Sequence, residues 1–150
     1  MLLRTRTSTM RSYDELPTDS NAVTGELYFE FADGTGFPAI GWIDRLISVL
    51  GWWIRPIREH LSTRADSAKL LFGETSAGVV VQRLSADTLK LSFMKDVVAE
   101  TDELREETVL VSTFLDNLAG VAADLDSALA AKGWPLSAHT ADLRRLRMLL

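Results

Sequence analysis

Few residues in this chain have the chemistry that catalysis needs. It has no cysteine, which excludes thiol nucleophiles, disulfides and cysteine-bound metal centres. Its histidines, His60 and His139, lie in polar surroundings where we expect both to be exposed, and neither belongs to a metal-ligand pattern or a serine-nucleophile motif. Gly34 and Gly36 precede no lysine or third glycine, so they predict a turn and not a phosphate loop. The sequence predicts no catalytic residue, no cofactor and no metal site.

Asp44 is a carboxylate with two open interpretations. It lies near the predicted start of a tryptophan-rich helix, where a carboxylate can accept hydrogen bonds from free backbone N–H groups. No second carboxylate is near it in sequence to form a catalytic pair, so this structural role is the favoured one. The alternative is a small-molecule-binding or enzymatic domain, in which Asp44, Trp42 and Trp52 would line a pocket.

A run of acidic residues near the middle of the chain is the candidate binding surface. Lys95 and Arg105 are its only basic residues. Such a run is either a solvated surface or an electrostatic docking site for a basic protein. The candidate partner-binding residues are Asp96, Glu100, Asp102, Glu103, Glu106 and Glu107.

The overall charge narrows the class of partner. The net charge is −5, but residues 1–12 contain three arginines and no acid, so the remainder has 13 basic against 21 acidic residues, a net charge of −8. A body this acidic argues against the phosphate contacts of nucleic-acid binding. No apolar run approaches the ~20 residues of a membrane span, and no secretion signal precedes the first arginine. We therefore expect a cytoplasmic protein that binds neither nucleic acid nor membrane.

The elements that would position these residues can be assigned from periodicity and turn signals. We expect residues 1–24 to form a flexible arm and residues 25–150 a single domain. The predicted strands lie at 26–31, 69–74, 79–84 and 88–94, with a further one at 107–111. The predicted helices begin near 41, at 112, where Ser112 would be the N-cap, and near 141; Gly133 ends the second, and the third extends to 150. This order, β-α-β-β-β-(β)-α-α, predicts an α+β fold with a single antiparallel sheet of four to five strands and flanking helices.

The first helix has the strongest hydrophobic pattern. Its apolar residues recur at helical spacing and form one stripe, which includes Ile43, Leu46, Ile47, Leu50, Trp53, Ile54 and Ile57. Burial in the core is the favoured interpretation, and Trp53 should be central to it. A homodimer contact is another, so both a monomer and a homodimer stay open. Pro56 predicts a kink or restart of the helix.

Several short motifs resemble a known family. The motifs are Phe37-Pro38, Gly41-Trp42-Ile43-Asp44, Trp52-Trp53 and Phe72-Gly73-Glu74, in that order along the chain. In this respect the chain is similar to small bacterial immunity proteins of polymorphic or contact-dependent growth inhibition toxin systems. One departure is Arg45, which stands where an aromatic residue often follows the aspartate. The resemblance implies a non-enzymatic inhibitor that binds and neutralises a cognate toxin. The acidic charge of the chain predicts that this toxin is basic, such as a nuclease.

Overall fold

A computed structural model describes residues 1–62, 65–135 and 137–149 of the chain. Within the last range the side chains of 137–139, 143, 147 and 149 are not described, so the expected exposure of His139 lies outside the described residues. Residue 150, the end of the third predicted helix, also lies outside them.

The N-terminal sheet is built around strand β2. It contains β1 (Leu2–Ser12), β2 (Val23–Glu30), β3 (Gly36–Phe37) and β4 (Ile43–Asp44), and the other three strands all pair with β2 in antiparallel orientation. Alternate residues of β2 are fully buried over its first half, as the period of two predicts.

Strand β1 replaces most of the expected flexible arm. Residues 2–12 contain no Gly or Pro and alternate between half-buried and exposed positions, with threonine at half-buried ones. Arg4 and Arg6 pair with Glu30 and Glu26 on β2, which offsets the positive charge of this segment. The prediction failed because Leu3 and Met10 alone reach the core, so the strand has almost no hydrophobic signal.

The C-terminal sheet is an antiparallel meander. Its strands β5 (Ala68–Leu71), β6 (Gly78–Arg83), β7 (Thr88–Asp96) and β8 (Thr101–Leu110) follow one another in space as they do in sequence. The α+β class and the antiparallel pairing are therefore as predicted. The expected single sheet is instead two sheets of four strands, because β1, β3 and β4 give β2 partners of its own.

In the described residues, three α-helices complete the fold: α1 (Leu46–Ser62), α2 (Val111–Lys132) and α3 (Ser137–Arg145). The last continues into a short 3-10 turn at Leu146–Leu149. Helix α1 begins later than predicted, because Ile43 and Asp44 pair with β2, and it continues through Pro56. Helix α2 follows β8 directly; Leu110, not Ser112, is its N-cap, and it ends at Gly133, whose left-handed backbone (φ 70°) is the expected stop signal.

A cluster of aromatic rings joins both sheets to α1. Trp53 is fully buried and stacks on Phe29 of β2 at 5.9 Å between ring centroids. Phe29 also contacts Phe93 of β7 edge-to-face at 5.3 Å, and Phe72 contacts Trp53 at 5.5 Å. The Trp53 indole N–H donates to the carbonyl of Leu71 at 2.7 Å. The predicted core stripe is thus confirmed at Trp53, whereas Ile43 is exposed.

In the described part of the chain, no helix combines the length and apolar character that crossing a bilayer would require.

Candidate functional site

The β7–β8 hairpin carries all six predicted partner-binding carboxylates. Strand β8 is an edge strand of the C-terminal sheet, and it begins at Thr101, earlier than the predicted 107. The predicted strand was too short because charged residues, which are uncommon in strands, occupy most of the first seven positions of β8. At the turn, Glu100 and Asp102 have left-handed backbone conformations (φ 53° and 58°), which few residues other than glycine adopt.

Three of the six carboxylates already have partners within the protein. Asp96 accepts a hydrogen bond from the backbone N–H of Ala99 at 3.0 Å and so closes the turn. Glu100 pairs with Lys69 of β5 at 3.3 Å. Glu107 accepts from Arg105 at 2.7 Å on the inner side of β8. These three side chains stabilise the hairpin.

The other three carboxylates, Asp102, Glu103 and Glu106, are exposed. Among the residues that the structure describes, none of them forms an ion pair or a side-chain hydrogen bond. Glu103 lies opposite Met94 and Glu106 opposite Ser92, so both side chains lie on the outer face of the sheet, away from Phe93 and the core. Three of the six predicted residues thus lack a side-chain partner among the described residues, and the binding role of all six stays a prediction.

Exposed apolar side chains flank these carboxylates. Val98 at the turn, Leu104 in the strand and Leu110 at its end are each at least half exposed. A docking surface typically combines apolar contact area with a charged rim. These residues were not predicted as part of the surface because residues 101–106 were not assigned to a strand, and residues 104–110 show no regular alternation of apolar and polar side chains.

Arg105 anchors the hairpin to the N-terminal sheet. Its guanidinium lies 3.9 Å from the ring centroid of Phe31 and donates to Asp33 at 2.8 Å. The Thr35 hydroxyl and the Arg105 guanidinium, both donating to Asp33, hold the pKa of that carboxyl well below its ordinary value of 3.8. Since Arg105 also binds Glu107, this one side chain fixes the inner side of β8 and leaves the outer side free.

Asp44 has a structural role. It is buried, and its two oxygens accept four hydrogen bonds: from the indole N–H of Trp42 (3.0 Å) and the backbone N–H groups of Arg45 (2.8 Å), Gly73 (2.9 Å) and Glu74 (3.2 Å). The carboxylate thereby ties the Gly41–Asp44 segment to the Phe72–Glu74 turn. It precedes α1 and is not in the first turn of that helix.

A groove of about 350 Å³ lies beside Trp52, which is 45% exposed. Arg45 covers the Trp52 ring at 5.4 Å and pairs with Glu74 at 3.3 Å. The polar groups in this groove largely bond one another, since Ser48 contacts both Ser20 (2.9 Å) and Asn21 (2.7 Å). Neither Trp42 nor Asp44 lines the groove, so the structure does not bring the three predicted pocket residues together.

His60 is buried, contrary to the expected exposure. Its Nδ1 atom lies 2.5 Å from the carbonyl oxygen of Ala65, so it holds the chain after α1. Within the described residues, no three histidine, aspartate or glutamate side chains are grouped in a way that could hold a metal ion.

Known proteins add no further evidence about this site. No protein-family model, curated protein or solved structure matches the chain. The likeness to immunity proteins therefore depends on the motifs quoted above. Two of those motifs, Gly41–Asp44 and Phe72–Glu74, are in contact through Asp44.

Proposed function

We propose that this chain is a non-enzymatic immunity protein that binds a basic bacterial toxin in the cytoplasm and neutralises it. The observation that carries the proposal is the outer side of the β7–β8 hairpin. There the carboxylates of Asp102, Glu103 and Glu106, which have no ion-pair partner among the described residues, lie beside the exposed side chains of Val98 and Leu104.

This surface is suited to fast and selective capture of a cationic protein. Unpaired carboxylates on a body of net charge −8 attract a basic partner over a Debye length of ~8 Å at physiological salt. The same charges repel acidic proteins, which gives selectivity, and the apolar side chains supply contact area once the partner has docked.

The non-enzymatic part of the proposal is supported by the way the candidate catalytic groups are used. Asp44 is buried and accepts four hydrogen bonds from the protein itself. His60 is buried against a backbone carbonyl. Asp44 is thus fully occupied in holding the fold together. In His60 only the Nδ1 atom is occupied in this way, and the buried Nε2 atom has no hydrogen-bond partner among the described residues.

Co-expression tests the function directly. The chain should protect cells from the toxin encoded beside its own gene and should elute with that toxin in gel filtration. Unchanged toxicity together with the absence of a complex would refute the proposal.

A charge-reversal variant tests the surface. Asp102→Lys/Glu103→Lys/Glu106→Lys should slow association with the toxin by about ten-fold or more and flatten its dependence on salt, because long-range attraction acts mainly on the association rate. The matched control reverses exposed acids elsewhere, Asp14→Lys/Glu15→Lys/Asp124→Lys, with the same change in net charge. Equal association rates for the two variants would mean that the hairpin is not the docking surface.

A further inference from the structure

The hydrogen-bonding direction of β8 can be derived from its neighbours. In an antiparallel ladder, each residue directs its N–H and C=O to one side, and the side alternates along the strand. The N–H of Val111 donates to the carbonyl of Asp87 at 2.8 Å, so Val111 faces β7. Counting back in steps of two, Val109 and Glu107 also face β7, and they pair there with Leu89 and Leu91.

A second contact gives the same assignment. The N–H of Leu84 donates to the carbonyl of Thr88 at 2.9 Å, so Thr88 faces β6 and its neighbour Leu89 faces β8. Glu106 and Thr108 alternate with these bonded positions of β8. Their N–H and C=O groups therefore point away from the sheet.

On two other edge strands, side chains form hydrogen bonds with outward backbone N–H or C=O groups. On β1, the side chain of Asn117 bonds both the N–H (2.7 Å) and the C=O (3.1 Å) of Leu3. On β5, the carbonyl of Leu71 accepts from the Trp53 indole. No described residue forms a hydrogen bond with the outward backbone N–H or C=O groups of Glu106 and Thr108. Strand β8 is thus an open edge.

We infer that the open edge of β8 accepts an extended, lysine- or arginine-rich segment of the toxin as an additional strand of the C-terminal sheet. The inference rests on the proposed function and specifies its binding mode. Outward N–H and C=O groups of Glu106 and Thr108 would bond the incoming backbone, which is how extended segments add to sheet edges. Affinity then comes from the main chain, and selection from the neighbouring side chains.

Charge determines which strand can bind. A second copy of this chain would place the Asp102, Glu103 and Glu106 side chains of two β8 strands against one another, and like charges that face across strands destabilise the pairing. On the outer face, the cation of the neighbouring strand is Lys90, which lies opposite Thr108 and forms no ion pair with Glu106. A strand with basic side chains on its outer face is therefore the complementary occupant.

Short peptides test this mode without the toxin. The probe is a capped seven-residue peptide of alternating lysine and valine, compared with the same peptide N-methylated at its three central residues and with a glutamate–valine peptide. On the ¹⁵N-labelled full chain, the lysine peptide at millimolar concentration should slow hydrogen exchange of the Glu106 and Thr108 amides. Glu107, already bonded to β7, should change little.

Two variants test the role of the backbone group itself. Thr108→Pro removes an outward N–H and leaves the ladder to β7 intact, because edge strands accept proline where the N–H faces solvent. It should weaken peptide binding about five-fold or more, the effect of one hydrogen bond, whereas Thr108→Val should bind like wild type.

The inference is overturned if the N-methylated peptide binds as well as its parent, if no peptide perturbs β8, or if the chain pairs with itself there. Should Thr108→Pro fail to fold, the exchange measurement on the wild-type chain still decides. A negative result would leave the immunity function standing, since side chains of the same surface alone can bind a toxin; that function is decided by co-expression.

Discussion

Replacing Asp44 with asparagine tests how the Gly41–Asp44 and Phe72–Glu74 segments are held together in this fold. The Asp44→Asn side chain has the same shape but offers one carbonyl oxygen and one NH₂ group. If its oxygen takes the place of Oδ2, it keeps the bonds from Trp42, Gly73 and Glu74. Its NH₂ group then meets the N–H of Arg45, which currently donates to Oδ1 at 2.8 Å. Any other orientation loses more bonds.

The best orientation therefore leaves two donors without an acceptor at a buried position. Each such group costs about 1–3 kcal/mol, so Asp44→Asn should lower the free energy of unfolding by about 2–6 kcal/mol. The three remaining bonds also lose the assistance of the negative charge, which favours the upper part of that range.

Urea denaturation followed by tryptophan fluorescence measures this cost as a lower midpoint at an unchanged slope. The control is Asp14→Asn, which changes an exposed carboxylate and should move the midpoint little. A loss below about 1 kcal/mol for Asp44→Asn would refute the assigned bonding. Where the variant is still folded it should bind the toxin normally, because Asp44 lies outside the hairpin surface.

The remaining predictions concern the core, a close backbone approach and pH. Trp53→Ala should cost about 3–5 kcal/mol, and a melting temperature within a few degrees of wild type would mean that Trp53 is not central to the core. Gly73→Ala should lower the free energy of unfolding by about 1–3 kcal/mol, because the added Cβ would lie 2.5 Å from a buried carboxylate oxygen. Gly51→Ala should raise it by about 0.5–1 kcal/mol, because the Cβ would have no neighbour within 4 Å. Similar stabilities for the two variants in thermal denaturation would contradict this contrast. Because the pKa of Asp33 is lowered in the folded state, the ionised side chain stabilises the protein at neutral pH, and this stabilisation is lost as the pH falls below about 3.8. Asp33→Asn should therefore flatten the decline in melting temperature between about pH 4 and pH 2. An unchanged decline would count against the Asp33 contacts.

Hydrophobic periodicity determines how much of this fold can be predicted. The α1 stripe around Trp53 and the alternation in β2 and β7 are strong signals because each element buries one complete face. Strand β1 gives no such signal, since its pairing with β2 depends on backbone bonds and on arginine–glutamate pairs formed across the sheet. Nothing in residues 2–12 alone encodes that partner.

The candidate site was predictable in composition but not in arrangement. The acidic run is visible in the sequence, yet which carboxylates are free depends on residues far along the chain. Lys69 of β5 forms an ion pair with Glu100, and Arg105 donates a hydrogen bond to Asp33, which is 72 residues away in sequence. Only the register of β7 and β8 separates Glu106 on the outer face from Glu107 on the inner one.

The motif residues and the hairpin differ in what constrains them. Asp44 and Gly73 meet inside the protein at distances that leave no room for a Cβ on Gly73, so their identities follow from the fold. Glu103 and Glu106 are exposed and form no ion pair or side-chain hydrogen bond with any described residue, so substitutions there change the charge of the surface at little cost in stability. A scaffold of this kind can keep its core and motif contacts while its edge strand is adapted to a particular toxin. Under the proposed function, the side chains on the outer side of β8 would therefore determine which toxin binds, and the fold would supply the open edge.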